Sequence, residues 1–404
     1  MAAPSAASNR ARFSIHPYAQ AIAGFCLIAL CLCACGGPNK KAAERHIKMA
    51  LTQLDMRQYI AALEFLNKAL DADPENRTAR FLKAELLYNT ARVEEAAKVM
   101  SKLYEEFPED EAVRMGLAYM RKDQGLHEQA LELFKSIPMT PALYHPVAEC
   151  LTGVGKHDDA ANMIGELLAA DPWDPKAYLL FSRLESKRKR DEPAKLWGDF
   201  YRDNEKFREA ERTALRAEHQ GNAPEAALTR GRNLYRSGRL FSSMNMLEKV
   251  VQAQPEMARA YLTLGRILTD LGRSEDAIKY LEAALKLKPD MPNWQSRLAK
   301  AKEQLTQLAD KPRSILDMAA LYETQSKPDL VRAVVLFEAN RDPKNAQTLR
   351  LVVKYFDRPK DAFIRLWAWR LAILADPEQA GFVSAFQGEA AGLGVDLKVP
   401  TSGS

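Results

Sequence analysis

The residues most able to bind a metal or attack a substrate are six histidines and five cysteines, and their spacing gives them little such chemistry. The histidines, at 16, 46, 127, 145, 157 and 219, never pair at the three- or four-residue spacing that puts two ligands on one helix face. No H-E-x-x-H, C-x-x-C or G-x-S-x-G occurs. The segment GVGKHDD around Gly155 has a Gly-Lys pair, but no glycine five residues earlier and no Ser or Thr after it, so it is not a phosphate loop. Carboxylates are plentiful, yet none is set apart as a general acid. No metal, cofactor or catalytic residue is therefore expected. Four cysteines, Cys26, Cys31, Cys33 and Cys35, crowd into one apolar stretch. Cys150 stands alone in VAECL, an apolar helical stretch without basic neighbours, which reads as a buried core thiol.

Those four cysteines need an element to carry them. Residues 1–20 contain Arg10 and Arg12 and no acid, and residues 21–34 (AIAGFCLIALCLCA) are uninterruptedly apolar. A membrane-spanning helix needs about 20 apolar residues, so this run is too short to span. A basic start and a short apolar run form a secretory signal. Its end, Leu32-Cys33-Ala34-Cys35-Gly36, resembles the bacterial lipobox, with Leu at the −3 place and a small residue just before the modified cysteine. The resemblance implies cleavage after residue 34, acylation of Cys35 and, with Gly36 following, delivery to the outer membrane. The other readings are an ordinary secretory signal or an uncleaved anchor. Cleavage removes two arginines, which takes the net charge from +5 to +3, too weak to imply nucleic acid. The run Lys187-Arg188-Lys189-Arg190, followed by Asp191 and Glu192, reads as the cationic end of a helix.

The body is a repeat. Prolines closing similar phrases recur: Pro74 to Pro108, Pro255 to Pro289 and Pro343 to Pro377 are each separated by 34 residues. The clearest copy is ARAYLTLGRILTDLGRSEDAIKYLEAALKLKPD from Ala258, with Leu264, Leu268, Leu281 and Leu285 forming apolar stripes. Gly265 and Ala277 mark the closest approach of two helices, Gly272 the turn, and Pro289 the end. This copy resembles the tetratricopeptide repeat (TPR) at each diagnostic place. Starts fall near 43, 77, 111, 141, 175, 224, 258, 312 and 346. The small residue of the first helix becomes Ala50, Ala84, Ala118, Ala148, Ser182, Gly231, Gly265 and Ala319, but Val353 in the last copy. That of the second helix becomes Ala62, Ala96, Ala130, Ala160, Ala194, Ser243 and Ala277, but Leu330 and Arg365 in the last two.

The expected fold is thus all-α, a TPR superhelical solenoid of helix–turn–helix repeats. Residues 1–34 are the signal and 35–42 a linker. An array fills 43–309, with 292–309 as a capping helix, and a degenerate helical region fills 312–380. Residues 381–404 form a tail. The break allows two stacks, and the last two copies fit a generic helical domain equally well. About fifteen extra residues near 209–223 read as an added helical piece or an irregular joint.

The family resemblance implies that repeat places 2, 5, 9 and 12 of each first helix line a groove. Candidate groove residues are Phe81, Tyr88, Tyr119, Arg183, Arg232 and Arg266, aromatic toward the N-terminal half and basic in the middle. Arginine forks bind carboxylates and aromatics anchor, so the expected ligand is a protein segment of acidic character, extended or helical. Copy 43 has Ile47 and Leu51 where chaperone-binding relatives carry a carboxylate clamp. The overall expectation is a lipid-anchored, periplasm-facing scaffold for envelope assembly or export, of the polysaccharide or pilus secretion type, not an enzyme. The rival readings are a cell-wall-related enzyme or regulator, with Trp367 and Trp369 lining a C-terminal cleft, and a cytosolic TPR adaptor with a misassigned start.

Overall fold

The computed structural model describes residues 38–203, 205–219, 221–308 and 314–401. Cys35 and the signal lie outside the described residues. Every regular element among them is a helix, and none is long and apolar enough to cross a membrane. The described residues fall into two compact units, one up to Lys156 and one from His157 onward.

The first unit holds seven α-helices: α1 Pro38–Asp55, α2 Tyr59–Ala72, α3 Arg77–Asn89, α4 Val93–Glu106, α5 Glu111–Asp123, α6 His127–Lys135 and α7 Tyr144–Gly153. The second holds α8 His157–Ala170, α9 Pro175–Lys187, α10 Asp191–Asp203, α11 Glu205–His219, α12 Ala223–Arg236, α13 Leu240–Ala253, α14 Ala258–Asp270, α15 Ser274–Leu287 and α16 Pro292–Leu308. It continues with α17 Ile315–Thr324, α18 Pro328–Arg341, α19 Ala346–Tyr355, α20 Ala362–Ala375 and α21 Ala380–Leu393. The extra residues before copy 224 are α11, and the helix expected over 292–309 is α16. The expected linker already turns helical at Pro38, and the expected tail contains α21.

The repeat frame is visible in the backbone. Place 15 of the first eight copies has positive φ: Arg57, Ala91, Gly125, Gly155, Lys189, Gly238, Gly272 and Ser326, with φ between 54° and 80°. A left-handed residue there reverses the chain between paired helices. Glycine takes this conformation without steric cost, whereas an L-residue bears about 1–2 kcal/mol. The ninth copy has a short 3₁₀ turn, Pro359–Asp361, at that point instead.

The small places are where paired helices touch. A Cβ at Gly265 would sit 2.6 Å from Leu281 Cγ and one at Gly231 2.7 Å from Leu247. Where a place is serine, its hydroxyl donates to the facing helix's carbonyl: Ser182 Oγ to Ala194 O at 2.7 Å, and Ser243 Oγ to Gly231 O at 2.6 Å. In copy 312 the buried position is Val331 rather than Leu330, one residue on, which restores the register of the other copies. Arg365 departs from the repeat because it serves another contact, pairing with Glu389 and donating to the Phe356 and Arg358 carbonyls.

Within the second unit the C-terminal helices return to the array. Met318 of α17 packs on Gly272, and Tyr322 donates to the Asp270 carbonyl at 2.9 Å. Phe337 of α18 meets Phe241 of α13 edge-on. Phe363 of α20 closes a four-ring cluster with Tyr178, Phe181 and Trp197, and Arg370 pairs with Glu166 of α8 at 2.8 Å. Segment 394–398 then lies along α8, where Asn162 and Glu166 accept from the amides of Asp396 and Lys398.

The basic run after α9 is part of this closure. Arg188 and Arg190 both pair with Glu185, which is fully buried, and donate to the terminal carbonyls of α21 at Gly394 and Leu393. Cations beside exposed helix carbonyls complement the dipole. They do so here across some 200 residues of sequence.

Candidate functional site

In the first unit, Phe81 and Tyr119 are 7% and 8% exposed. Tyr119 packs edge-on against Phe134, so these rings present only their rims to a ligand. Tyr88 is half-buried and donates to Asp123 Oδ2 at 2.6 Å, while Lys122 bridges Asp123 and Glu149. The Tyr88 hydroxyl is pushed upward, chiefly by burial and then by its bond to Asp123. Cys150 is fully buried, and burial raises its thiol to about 12, so it carries no thiolate near neutrality.

Glu85 lies on the same helix as Tyr88, and burial alone lifts its carboxyl from 4.5 to about 7. Between those values the folded chain holds a proton that the unfolded chain has released. Stability due to this group is therefore full below the lower value and lost as pH rises through the upper one. Glu85→Gln should leave the urea midpoint unchanged near about pH 4 and raise it near about pH 8, where the buried charge is removed.

In the second unit, Arg232 and Arg266 share place 9 on α12 and α14. Arg232 is held below the usual arginine range, first by burial and then by the charges of Arg236, Arg259 and Arg266, with only Glu225 opposing. None of these four arginines forms an ion pair among the described residues. Arg266 stacks over the Tyr235 ring at 4.6 Å, and its buried Nε has no acceptor. Tyr235 donates to Asp270 Oδ2 at 2.9 Å, one copy on, as Tyr88 does to Asp123. Burial raises both partners, Tyr235 to about 12.

Arg236, Arg266 and Asp270 border a cleft of about 610 Å³ that is also lined by Arg332 of α18 and by Arg358, just before the Pro359–Asp361 turn. Those two are engaged: Arg332 donates to the Tyr355 carbonyl and Arg358 pairs with Asp361. On the array side Arg236 and Arg266 form no ion pair among the described residues, and Asp270 is the acid beside them. Arg183 is exposed on α9, forms no ion pair among the described residues and does not line the cleft. Arg236 escaped notice in the sequence, though its i+4 spacing from Arg232 puts both on one face. Trp367 and Trp369 do not line this cleft, and Trp369 packs on Phe382. No group of three or more potential metal ligands occurs among the described residues.

Models of the tetratricopeptide repeat match residues 47–111 and 234–305. This is a tetratricopeptide repeat protein. Solved TPR structures similar to it include one from Parabacteroides merdae ATCC 43184, 14% identical over 65% of this chain and 99% of that one, with a TM-score of 0.35. MamA (MSR-1) is 14% identical over 41% and 97%, with a TM-score of 0.36. YrrB, described as a TPR protein with an unusual peptide-binding site, is 16% identical over 59% and 97%, with a TM-score of 0.22. No curated protein matches the chain. A TPR array is a scaffold for protein–protein interaction. In this TPR protein the arginine cluster of α12 and α14 is one surface with unmet charge among the described residues.

Proposed function

We propose that this TPR protein is a lipid-anchored scaffold of the bacterial envelope. It is exported by residues 1–34, acylated at Cys35 and held at the outer membrane facing the periplasm. It serves envelope assembly or export of the polysaccharide or pilus secretion type. Its partner is a protein presenting an acidic segment, extended or helical, to Arg232, Arg236, Arg259 and Arg266.

The observation that carries the partner reading is the mutual crowding of those four guanidinium groups without a paired carboxylate. Like charges held together raise the free energy of the empty state. A carboxylate that neutralises them recovers that energy and adds bidentate hydrogen bonds. Tyr235 stacked under Arg266 holds one fork in place before binding.

Crosslinking of the membrane-anchored protein followed by capture should yield a partner whose crosslinked peptide is acidic. A captured peptide of basic or purely apolar character would defeat the charge argument. The anchor has a separate test. Radiolabelled palmitate should enter the parent chain and not Cys35→Ala, and an unlabelled parent would defeat the lipoprotein reading.

A further inference from the structure

The first helix is polarised in a way that the repeat does not require. Ala43, Ile47 and Ala50 of α1 are buried against Ala62, Leu66 and Ala69 of α2. The outward side carries Lys41, Arg45 and Lys48, with Lys40 in the first turn on the flank nearer Ile47; all four are exposed and none is in an ion pair among the described residues. At 100° per residue, Lys41, Arg45, Lys48 and Thr52 form one stripe with Met49 and Met56 along its edge. Met49 and Met56 are 46% and 61% exposed, and Ile60, just past the turn, is 81% exposed. A basic stripe bordered by exposed apolar side chains suits the boundary between anionic headgroups and acyl chains.

The proposed acylation site lies close by. Pro38, the first residue of α1, is three positions after Cys35. At about 3.5 Å per residue, the helix starts within roughly 10 Å of the acylated residue, about one Debye length.

We propose that the outward face of α1 lies on an anionic phospholipid surface, as a second, electrostatic attachment beside the acyl chains. This rests on the lipid-anchor reading of Cys35. Acyl chains alone set no orientation, whereas a basic face next to the anchor fixes which side of the first repeat meets the bilayer.

The test uses the mature acylated chain in vesicles of phosphatidylcholine with or without phosphatidylglycerol. Its readout is the rate at which a water-soluble amine reagent labels Lys40, Lys41 and Lys48, resolved by peptide mass. Labelling should be about fivefold slower in the anionic vesicles, the factor expected for a cation held at such a surface. High salt should remove the difference. Arg45→Glu with Lys48→Glu, both on the solvent side, should remove it for Lys40 and Lys41 while the helical circular dichroism stays unchanged. Equal rates in the two vesicles, with the acyl mass present on Cys35, overturn the inference and leave the anchor standing. Absence of the acyl mass overturns both.

Discussion

Phe363→Ala should lower the unfolding free energy of the protein by about 3–5 kcal/mol, the range for removing a fully buried aromatic side chain. Phe363 is fully buried, and its ring centre lies 5.2 Å from Trp197, 5.5 Å from Phe181 and 5.9 Å from Tyr178, all three equally enclosed. The cluster joins α20 to α9 and α10, so the cavity would open where the C-terminal helices meet the array. No small rearrangement can fill it, because Trp197 and Tyr178 are themselves held by further neighbours, Tyr178 donating to the Pro172 carbonyl at 3.0 Å. Phe363→Leu keeps much of the volume and should cost less than about 2 kcal/mol. Denaturant titration followed by tryptophan emission measures both variants. Equal, near-zero costs would mean that α20 does not pack on the array.

That closure is the part of the fold that the sequence conceals. The 34-residue period, the close approach at Gly265 and Ala277 and the turn at Gly272 are local, so spacing alone exposes them. Return of the C-terminal helices depends on pairs such as Arg188 with Gly394 and Arg370 with Glu166, more than 200 residues apart. Nothing in either segment names its partner. Phe363 lies in the apolar segment FIRLWAWRLAIL, but only the folded chain shows whose core it joins.

The groove residues divide along the same line. Arg232 and Arg266 are legible because charge recurs at one repeat place, although both are half-buried in the folded chain. Tyr119 occupies the same place 9 and Phe81 the groove place 5, yet their large apolar area draws them into contact with neighbouring helices. Tyr88 and Tyr235 follow a third rule, in which each hydroxyl is tied to the aspartate one copy further on. An aromatic at a groove place therefore carries less information than an arginine does.

The central claim is that the arginine cluster is where an acidic partner docks. The most direct measurement is fluorescence anisotropy of a labelled glutamate-rich peptide titrated with the parent protein and with Arg232→Glu/Arg266→Glu. Each lost charge-assisted contact is worth about 1.5–3 kcal/mol, so the double reversal should weaken binding by at least about 100-fold. Parent affinity should also fall as salt is raised. Arg183→Glu makes the same kind of charge change on α9, outside the arginine cluster of α12 and α14, and should weaken binding far less. Peptide affinity unchanged by the double reversal, or reduced equally by Arg183→Glu, would contradict the account.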